Sequence, residues 1–454
     1  MKSPSKVHLH LTASIAEVMG TTPTGKIVES FWYLAKQPLV ASLPQWLDTH
    51  FPNVDVEIEI STNLALTLLR RRLGQPTPFI TTGGFETWAN LNLPVHQNLQ
   101  TLRPQRTPSL LESDLIFGLG ERVRADGSVE KELSEQEINY VVSKLQLGEH
   151  KAAAIGFLNS GRNPSNEQRL QQALTDKGIL VYASHEMNSA HGEQPRWWTS
   201  IVDAYLYDAL ISVLSEVDSN LKARHHSTTL TVKCGNGEVK KLEDVRPTET
   251  FFGLQRRLTE LCPSNNLVYF GFDEFFSISD AKLRATYQSE FGELIAHGPH
   301  SEPLVIQPTE ILELSAWDIP SFTGTEIGHE PGPMMYGRNL KPCLLDLIFE
   351  AGRWPNPLRF PEVNYLPDEK RVTEALHTLS HDAVIDGTVG SDEVGSSLLD
   401  AAIEEISFDL NRFPKKADCF GALAPLMQKL LKERYKNLAI KSSTGSHLAT
   451  KEAR

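Results

Sequence analysis

The stretch KAAAIGFLNSGRNPSNEQRLQQALTDKGILVYAS, Lys151 to Ser184, sets the fold class. KAAAIGFL (151–158) is short, continuous and apolar, the pattern of a strand covered on both faces. Asn163-Pro164 then opens a helix, because proline's fixed φ suits a first helical position, and Leu170, Ala173 and Leu174 share one face. Gly178 ends that helix, and ILVYAS (179–184) predicts a second buried strand. Strand, helix and strand in this order make a βαβ unit, so parallel pairing and an α/β protein are expected.

Upstream, Ser134 and Glu137 have capping-box spacing, and Ile138, Val141, Val142 and Leu145 form one apolar helix face before Gly148. Downstream, a helix is predicted from about Trp198 to Leu221, roughly 35 Å long at 1.5 Å per residue. Its stripe of Val202, Tyr205, Leu206, Ala209, Leu210, Val213, Leu214 and Val217 is continuous. TTLTVKC and EVKKLE, joined through Asn236-Gly237, predict a hairpin. The Pro/Gly-rich segment 329–342 reads as loop, 391–413 as helix, and the polar tail from Ser442 as frayed. No internal repeat with a period of roughly 20–50 residues is visible.

The chain has 454 residues, enough for two or three cores, with 40% hydrophobic residues and a net charge of −13. With a pI near 5.6 and no long basic run, nucleic acid and anionic membrane surfaces are disfavoured as main partners. Cys234, Cys262, Cys343 and Cys419 include no C-x-x-C pair, which fits free thiols in a reducing compartment. The first residues lack a basic segment followed by an apolar core, so no secretory signal is expected there, and no apolar run approaches the ~18 residues of a membrane span. A cytoplasmic protein is expected.

Local chemistry is sparse. His185 and His191 are six residues apart, matching neither the helical nor the zinc-finger spacing of metal ligands, so polar loop residues are the better account, for them as for His225-His226. There is no G-x-S-x-G, no G-x-x-x-x-G-K-[ST] and no G-x-G-x-x-G. RRRLG (70–74) reads as the solvated end of a helix beginning near Leu64 rather than an anion site. Trp197-Trp198 reads as a packing anchor rather than a ligand platform. No catalytic residue and no metal site can be named on this basis.

Several segments, in order, resemble one family. They are ITTGGFETW (80–88), GERVRADGSV (120–129), FLNSGRNPSNEQRL (157–170), EQPRWWTSIVDAYL (193–206), GHEPGPMMYGR (328–338) and CFGALAPL (419–426). The family is hydantoinase A/oxoprolinase, which includes the large subunits of ATP-dependent acetone and acetophenone carboxylases. The resemblance runs from about residue 6 to 440, and the chain ends where members continue further, so a shortened member is expected. It implies a two-lobed actin/sugar-kinase-like (ribonuclease H-like) α/β architecture with mixed sheets. The lobes are expected at residues 1–200 and 201–441, ahead of a polar tail at 442–454.

In that family two glycine-rich D-x-G-G-T-x-T-D turns, one per lobe, hold a nucleotide whose hydrolysis opens cyclic amides or drives ketone carboxylation. By resemblance, DEFFSISD (273–280) is the second-lobe turn. Asp273 and Asp280 match, Ser277 and Ser279 replace threonines, and Phe275 and Phe276 replace both glycines. These four polar residues are the vestigial nucleotide site that the resemblance implies. The first-lobe turn falls at HLTASIAEV (10–18), with His10 for the acid and Thr12 and Ala13 for the glycines. FFGLQRR (251–257) keeps only Gly253 and has Arg256-Arg257 where glycines stand; ILEL replaces a glycine triplet before SAWD (315–318); Ala422 and Ala424 replace glycines in CFGALAP. Glycine lets backbone N–H groups reach phosphate oxygens, and phenylalanine blocks that approach.

A non-catalytic scaffold is therefore expected, with no cofactor, acting as a structural or regulatory partner of a second hydantoinase- or carboxylase-type subunit. The alternative is an active ATP-dependent hydrolase of a cyclic amide, or a carboxylase subunit, with ATP and magnesium. There Arg256 and Arg257 meet phosphates and Asp273 and Asp280 hold the metal. A third possibility is an ATP-independent binder of a small metabolite in the old cleft. The substrate and oligomeric state are not carried by these segments.

Overall fold

The computed structural model describes residues 4–34, 37–88, 109–224, 227–262, 266–304, 311–313, 321–324, 334–336, 342–351, 370–371, 374, 391–413, 416–431 and 438–440. The 442–454 tail, His225-His226 and most of the Pro/Gly-rich 329–342 segment lie outside them.

The chain begins with a meander, β1 (Ser5–Leu11), β2 (Ile15–Thr21) and β3 (Ile27–Tyr33), then α1 (Leu39–His50), β4 (Val56–Thr62) and α2 (Leu64–Arg70). Alternation in VEIEIST buries Ile58 and Ile60 on the core face of β4, which pairs parallel with β1. As expected, Arg70 ends the helix that begins at Leu64.

An inserted α/β unit follows. It contains β5 (Phe79–Thr82), β6 (Ile116–Leu119), a ribbon of β7 (Arg122–Val123) and β8 (Val129–Lys131), α3 (Glu135–Leu147), β9 (Ala152–Gly156), α4 (Ser165–Thr175) and β10 (Leu180–Ala183). Its sheet runs β10-β9-β5-β6, all parallel. The βαβ unit read from Lys151–Ser184 is present, and the Ser134–Glu137 capping box opens α3. Pro164 stands one position earlier than expected, at the cap of α4, and Gly178 turns the chain with φ +78°.

The long helix is continuous but not uniform. α5 (Glu193–Leu206) and α6 (Val213–Arg224) are joined by a π-helical segment at Tyr207–Ser212, which rotates the apolar stripe. Trp197 and Trp198 are buried in α5, against Phe79, Phe85 and Trp88 for the first and Trp88 and Phe291 for the second. They are packing anchors.

β11 (Thr228–Lys233) and β12 (Val239–Lys241) form the predicted hairpin, with Gly237 at φ +99°. β11 lies beyond residue 200, where the second lobe is expected to begin, yet it pairs parallel with β4. The first sheet is thus β12-β11-β4-β1-β2-β3 and draws strands from both sides of that boundary.

α7 (Gly253–Leu261) leads to β13 (Leu267–Phe270) and β14 (Phe275–Arg284). A small hairpin, β15 (Tyr287–Gln288) with β16 (Glu293–Leu294), precedes β17 (Gly298–Pro303); a second pairs β18 (Ile311–Glu313) with β19 (Ser321–Gly324). α8 (Leu344–Glu350), α9 (Ser391–Leu410), β20 (Ala417–Phe420), α10 (Ala424–Leu431) and β21 (Leu438–Ile440) complete the described elements. The sheet here is β17-β14-β13-β20-β21.

The two large sheets share one plan. An antiparallel meander (β1-β2-β3 or β13-β14-β17) is followed by helix, parallel strand, helix and parallel strand. This is the strand order of a ribonuclease H-like lobe, present twice, and the expected mixed α/β architecture is observed. The expectation of no repeat applies to short periods; the repetition here is of topology. Each meander contributes a hairpin turn, and the two turns meet.

Candidate functional site

The first turn connects β1 to β2. Leu11 pairs with Ala16, leaving Thr12–Ile15 as the loop, closed by the Thr12 N–H on the Ile15 carbonyl at 2.9 Å. The second connects β13 to β14 in the same way. Phe270 pairs with Phe275, leaving Gly271–Glu274, closed by the Gly271 N–H on the Glu274 carbonyl at 3.0 Å.

Superposing these registers corrects the sequence reading. The position of His10 is that of Tyr269, and Thr12-Ala13 correspond to Gly271-Phe272. Phe275 and Phe276 are not in the turn at all; they are the first residues of β14. Their side chains point to opposite faces, as adjacent strand residues must. Phe275 packs edge-on against Phe270, and Phe276 stacks on Tyr269 at 4.8 Å between ring centroids. Both are core residues of the second lobe. The hairpin register thus differs by four residues from the frame that aligns the acids Asp273 and Asp280, and it follows the alternation LVYF–GFDE–FFSIS.

The four residues expected at a nucleotide site accordingly do not converge. Asp273 is buried in the turn. Ser277 is buried within β14, its hydroxyl donating to the Glu302 carbonyl at 3.2 Å. Ser279 and Asp280 are exposed farther along the strand, and the Asp280 carboxylate accepts from the Lys282 N–H at 2.9 Å.

What Asp273 does touch is the other lobe. Its Oδ2 accepts a short hydrogen bond from the Thr12 hydroxyl and another from the Ser14 N–H at 2.9 Å. Beside it, Asn63, at the start of α2, donates through Nδ2 to Glu274 Oε1 at 2.6 Å. Burial pushes the Glu274 carboxyl up to about 7 despite that donor. His10 and Tyr269, in matching positions of the two lobes, are 2.8 Å apart from Nε2 to hydroxyl. His10 Nδ1 lies 3.1 Å from the Ser61 carbonyl, which can only accept, so Nδ1 carries the proton and Nε2 accepts from Tyr269. Burial lowers the His10 pKa and keeps that neutral tautomer.

Apolar contact completes the closure. Ile15, from the first turn, is fully buried and belongs to the apolar cluster of the second lobe that includes Phe270, Phe272, Phe275 and Leu423. The segment after β20 covers the second turn: Gly421, at φ +103°, lies so close that a Cβ would be 2.4 Å from the Phe270 carbonyl oxygen. Leu423 N–H donates to that oxygen at 2.9 Å. Arg256 pairs with Glu260 and Arg257 with Glu59, each at 3.0 Å, on the first-lobe side of α7.

A second polar centre lies in the inserted unit, where three of the family-like segments converge. Glu121 is buried and accepts from Thr82 and from Asn166, and burial raises its pKa. Glu167 accepts from the Phe157 N–H, the Ser184 hydroxyl, and the His185 N–H and Nδ1, all within 2.9 Å. These carboxylates tie strand ends to α4. Among the described residues no three His, Cys, Asp or Glu side chains are grouped as metal ligands, and no helix is long and apolar enough to cross a membrane.

Comparison with known proteins agrees with this layout. Residues 37–178 match the hydantoinase/oxoprolinase N-terminal region. The chain is 27% identical over 203 residues to the acetophenone carboxylase gamma subunit of Aromatoleum aromaticum, covering 41% of this chain and 28% of that protein. It is 28% identical over 164 residues to caprolactamase subunit alpha of Pseudomonas jessenii, covering 35% of this chain and 23% of that one. The matched stretches thus span about a quarter of these relatives' lengths. The fold is that of nucleotide-free acetone carboxylase, with a TM-score of 0.75 at 14% identity over 98% of this chain and 69% of the other. It is also that of the ATP-dependent caprolactamase of Pseudomonas jessenii, with a TM-score of 0.65 at 15% identity over 97% and 69%. Residues 37–178 are therefore similar to a hydantoinase/oxoprolinase N-terminal region, and part of the chain is similar to the acetophenone carboxylase and caprolactamase subunits.

Proposed function

We propose that this chain is a non-catalytic relative of the hydantoinase/oxoprolinase enzymes, a scaffold that serves as a structural or regulatory partner of a second hydantoinase- or carboxylase-type subunit. One observation carries the reading: the hairpin turns that would face a nucleotide are hydrogen-bonded to each other, Asp273 to Thr12 and Ser14. A triphosphate between them would have to displace those bonds and bring its charge beside the Asp273 carboxylate. The residues available for magnesium do not fit it, since Asp273 is engaged across the cleft while Asp280 is exposed on the far part of β14. Arg256 and Arg257 are each held by a glutamate, which removes the guanidinium route to phosphate. The subunit role is supported by the relatives, both of which are named as subunits. Cytoplasmic residence belongs to the same proposal and is supported by four buried, free cysteines.

The test is thermal unfolding with and without Mg-ATP. A ligand bound only by the folded state raises the melting temperature, so the expected result is no shift at millimolar nucleotide. A rise of several degrees that disappears in Asp273→Ala would overturn the proposal. The likeness to caprolactamase subunit alpha favours one second reading, an ATP-dependent hydrolase of a cyclic amide. It requires phosphate release stimulated by a lactam or hydantoin and lost in Asp273→Ala; no release from the chain, alone or with a purified partner subunit, removes it.

A further inference from the structure

The ribbon of β7 and β8 in the inserted unit places Arg122 directly opposite Lys131. Like charges in directly opposed cross-strand positions repel, and a fold keeps such a pair at a cost. Neither cation forms a salt bridge within 4.0 Å among the described residues. Arg122 Nη2 makes only a long contact, 3.4 Å, to the Gly83 carbonyl. The neighbouring carboxylates attract the pair at a distance, Glu137 toward Lys131 and Glu121 and Glu130 toward Arg122, but make their hydrogen bonds elsewhere. Glu130 pairs with Arg124 at 3.3 Å; Glu137 accepts from the Gly120 N–H and the Ser134 hydroxyl; Glu121 accepts from Thr82 and Asn166.

Arg122 and Lys131 nevertheless line, with Gly83, Leu119, Gly120 and the carboxylates Glu121 and Glu130, a cavity of about 480 Å³. That volume lies within the usual range for small-molecule sites, roughly 300–1,000 Å³. The Lys131 ammonium lies over Gly120, 2.5 Å from where a Cβ would stand, so glycine is what admits it there. The walls come from ITTGGFETW and GERVRADGSV, segments that the interlobe cleft leaves unused.

We infer that this cavity binds a small molecule through an oxyanion group, a carboxylate or a phosphate, held between the Arg122 guanidinium and the Lys131 ammonium. The guanidinium supplies paired N–H donors, the ammonium a mobile point charge, and the anion relieves their mutual repulsion. The site is separate from the interlobe cleft, and nothing in its argument depends on whether that cleft takes nucleotide.

Unfolding and calorimetric titration of the full chain with inorganic phosphate, and separately with glutarate, each against sodium chloride of equal ionic strength, test it. A saturable rise in melting temperature with either anion is expected, and which anion produces it identifies the group. Lys131→Gln should weaken that binding by roughly tenfold or more. Without anion it should melt at or above the wild-type temperature, because the repulsion is gone. Arg122→Gln should lose the response. The inference fails if neither anion gives a saturable response, if the response survives unchanged in Lys131→Gln, or if that variant melts lower than wild type without anion. Should Arg122→Gln not fold, the lysine variant decides alone.

Discussion

The two large sheets have one strand order and opposite endowments at the same place. In the first, the turn after β1 offers donors, the Thr12 hydroxyl and the Ser14 N–H; in the second, the turn after β13 offers an acceptor, the Asp273 carboxylate. Two glycine turns of equal character, each opening its N–H groups toward a ligand, would have no reason to bond to each other. Here each turn satisfies the other. The same asymmetry extends outward: His10 accepts from Tyr269, its topological counterpart, and Asn63 donates to Glu274. The two turns thus form a contact between lobes, and this contact can be broken residue by residue.

The largest effect belongs to the aromatic residues that the resemblance would place in the turn. Phe276 is buried on Tyr269 within the second lobe. Phe276→Ala should cost about 4 kcal/mol in chemical denaturation, as core phenylalanines do. A ring merely plugging a ligand cleft would be removed at little cost, so a loss under about 1 kcal/mol would return it to the turn.

Asp273→Ala tests the contact itself. It removes the charged acceptor of the buried Thr12 hydroxyl and Ser14 N–H. Their other contacts, to the Ile15 carbonyl at 3.3 Å and the Thr12 hydroxyl at 3.4 Å, are longer and neutral, and hydrogen bonds to a charged acceptor are worth more than neutral ones. A loss of about 3 kcal/mol is expected. A double-mutant cycle with Thr12→Val should return a coupling of about 1 kcal/mol or more; additivity would mean that the turns do not depend on each other.

The legible and illegible parts of the sequence divide along range. The βαβ unit at 151–184, the Ser134 capping box and the Asn236-Gly237 hairpin were readable because their signals lie within a few residues of one another. The doubled sheet order was not, since β11 joins β4 across the whole inserted unit and no local pattern records that pairing. The π-helical segment inside the long helix was also hidden, because an apolar stripe tolerates a single change of phase. At the site, the resemblance located both turns, and the hairpin register shifts the second by four residues from the frame of the aligned acids. The alternating runs on each side of GFDE were a physical signal that could have set it. The Arg122–Lys131 opposition was likewise available, since the ADGS turn inside GERVRADGSVEK brings those strands together.

Glu274 gives a smaller, pH-dependent effect. Its folded pKa, about 7, is above the ordinary glutamate value of 4.5, so the folded state holds a proton that the unfolded state releases. Stability is therefore full below pH ~4.5 and declines as pH rises to ~7, beyond which this group adds no further slope. Allowing for its partial exposure, the decline is on the order of 2 kcal/mol. Glu274→Gln should flatten that part of the pH–stability curve while retaining an acceptor for Asn63. An unchanged slope would place the carboxyl in water, away from the other lobe.

The smallest effect is the most discriminating. The resemblance makes Asp280 the partner of Asp273, and the two acids should then fail together. The strand geometry separates them: Asp280 is exposed on β14, where its carboxylate accepts from the Lys282 N–H. Asp280→Ala should leave the unfolding midpoint unchanged, and Asp273→Ala combined with Asp280→Ala should match Asp273→Ala alone. Equal losses from the two single variants would mean that both carboxylates sit at one site, and the frame set by Phe270 opposite Phe275 would be wrong. Unequal losses keep Asp273 at the contact between lobes and leave Asp280 on the surface, where an acid costs nothing to remove.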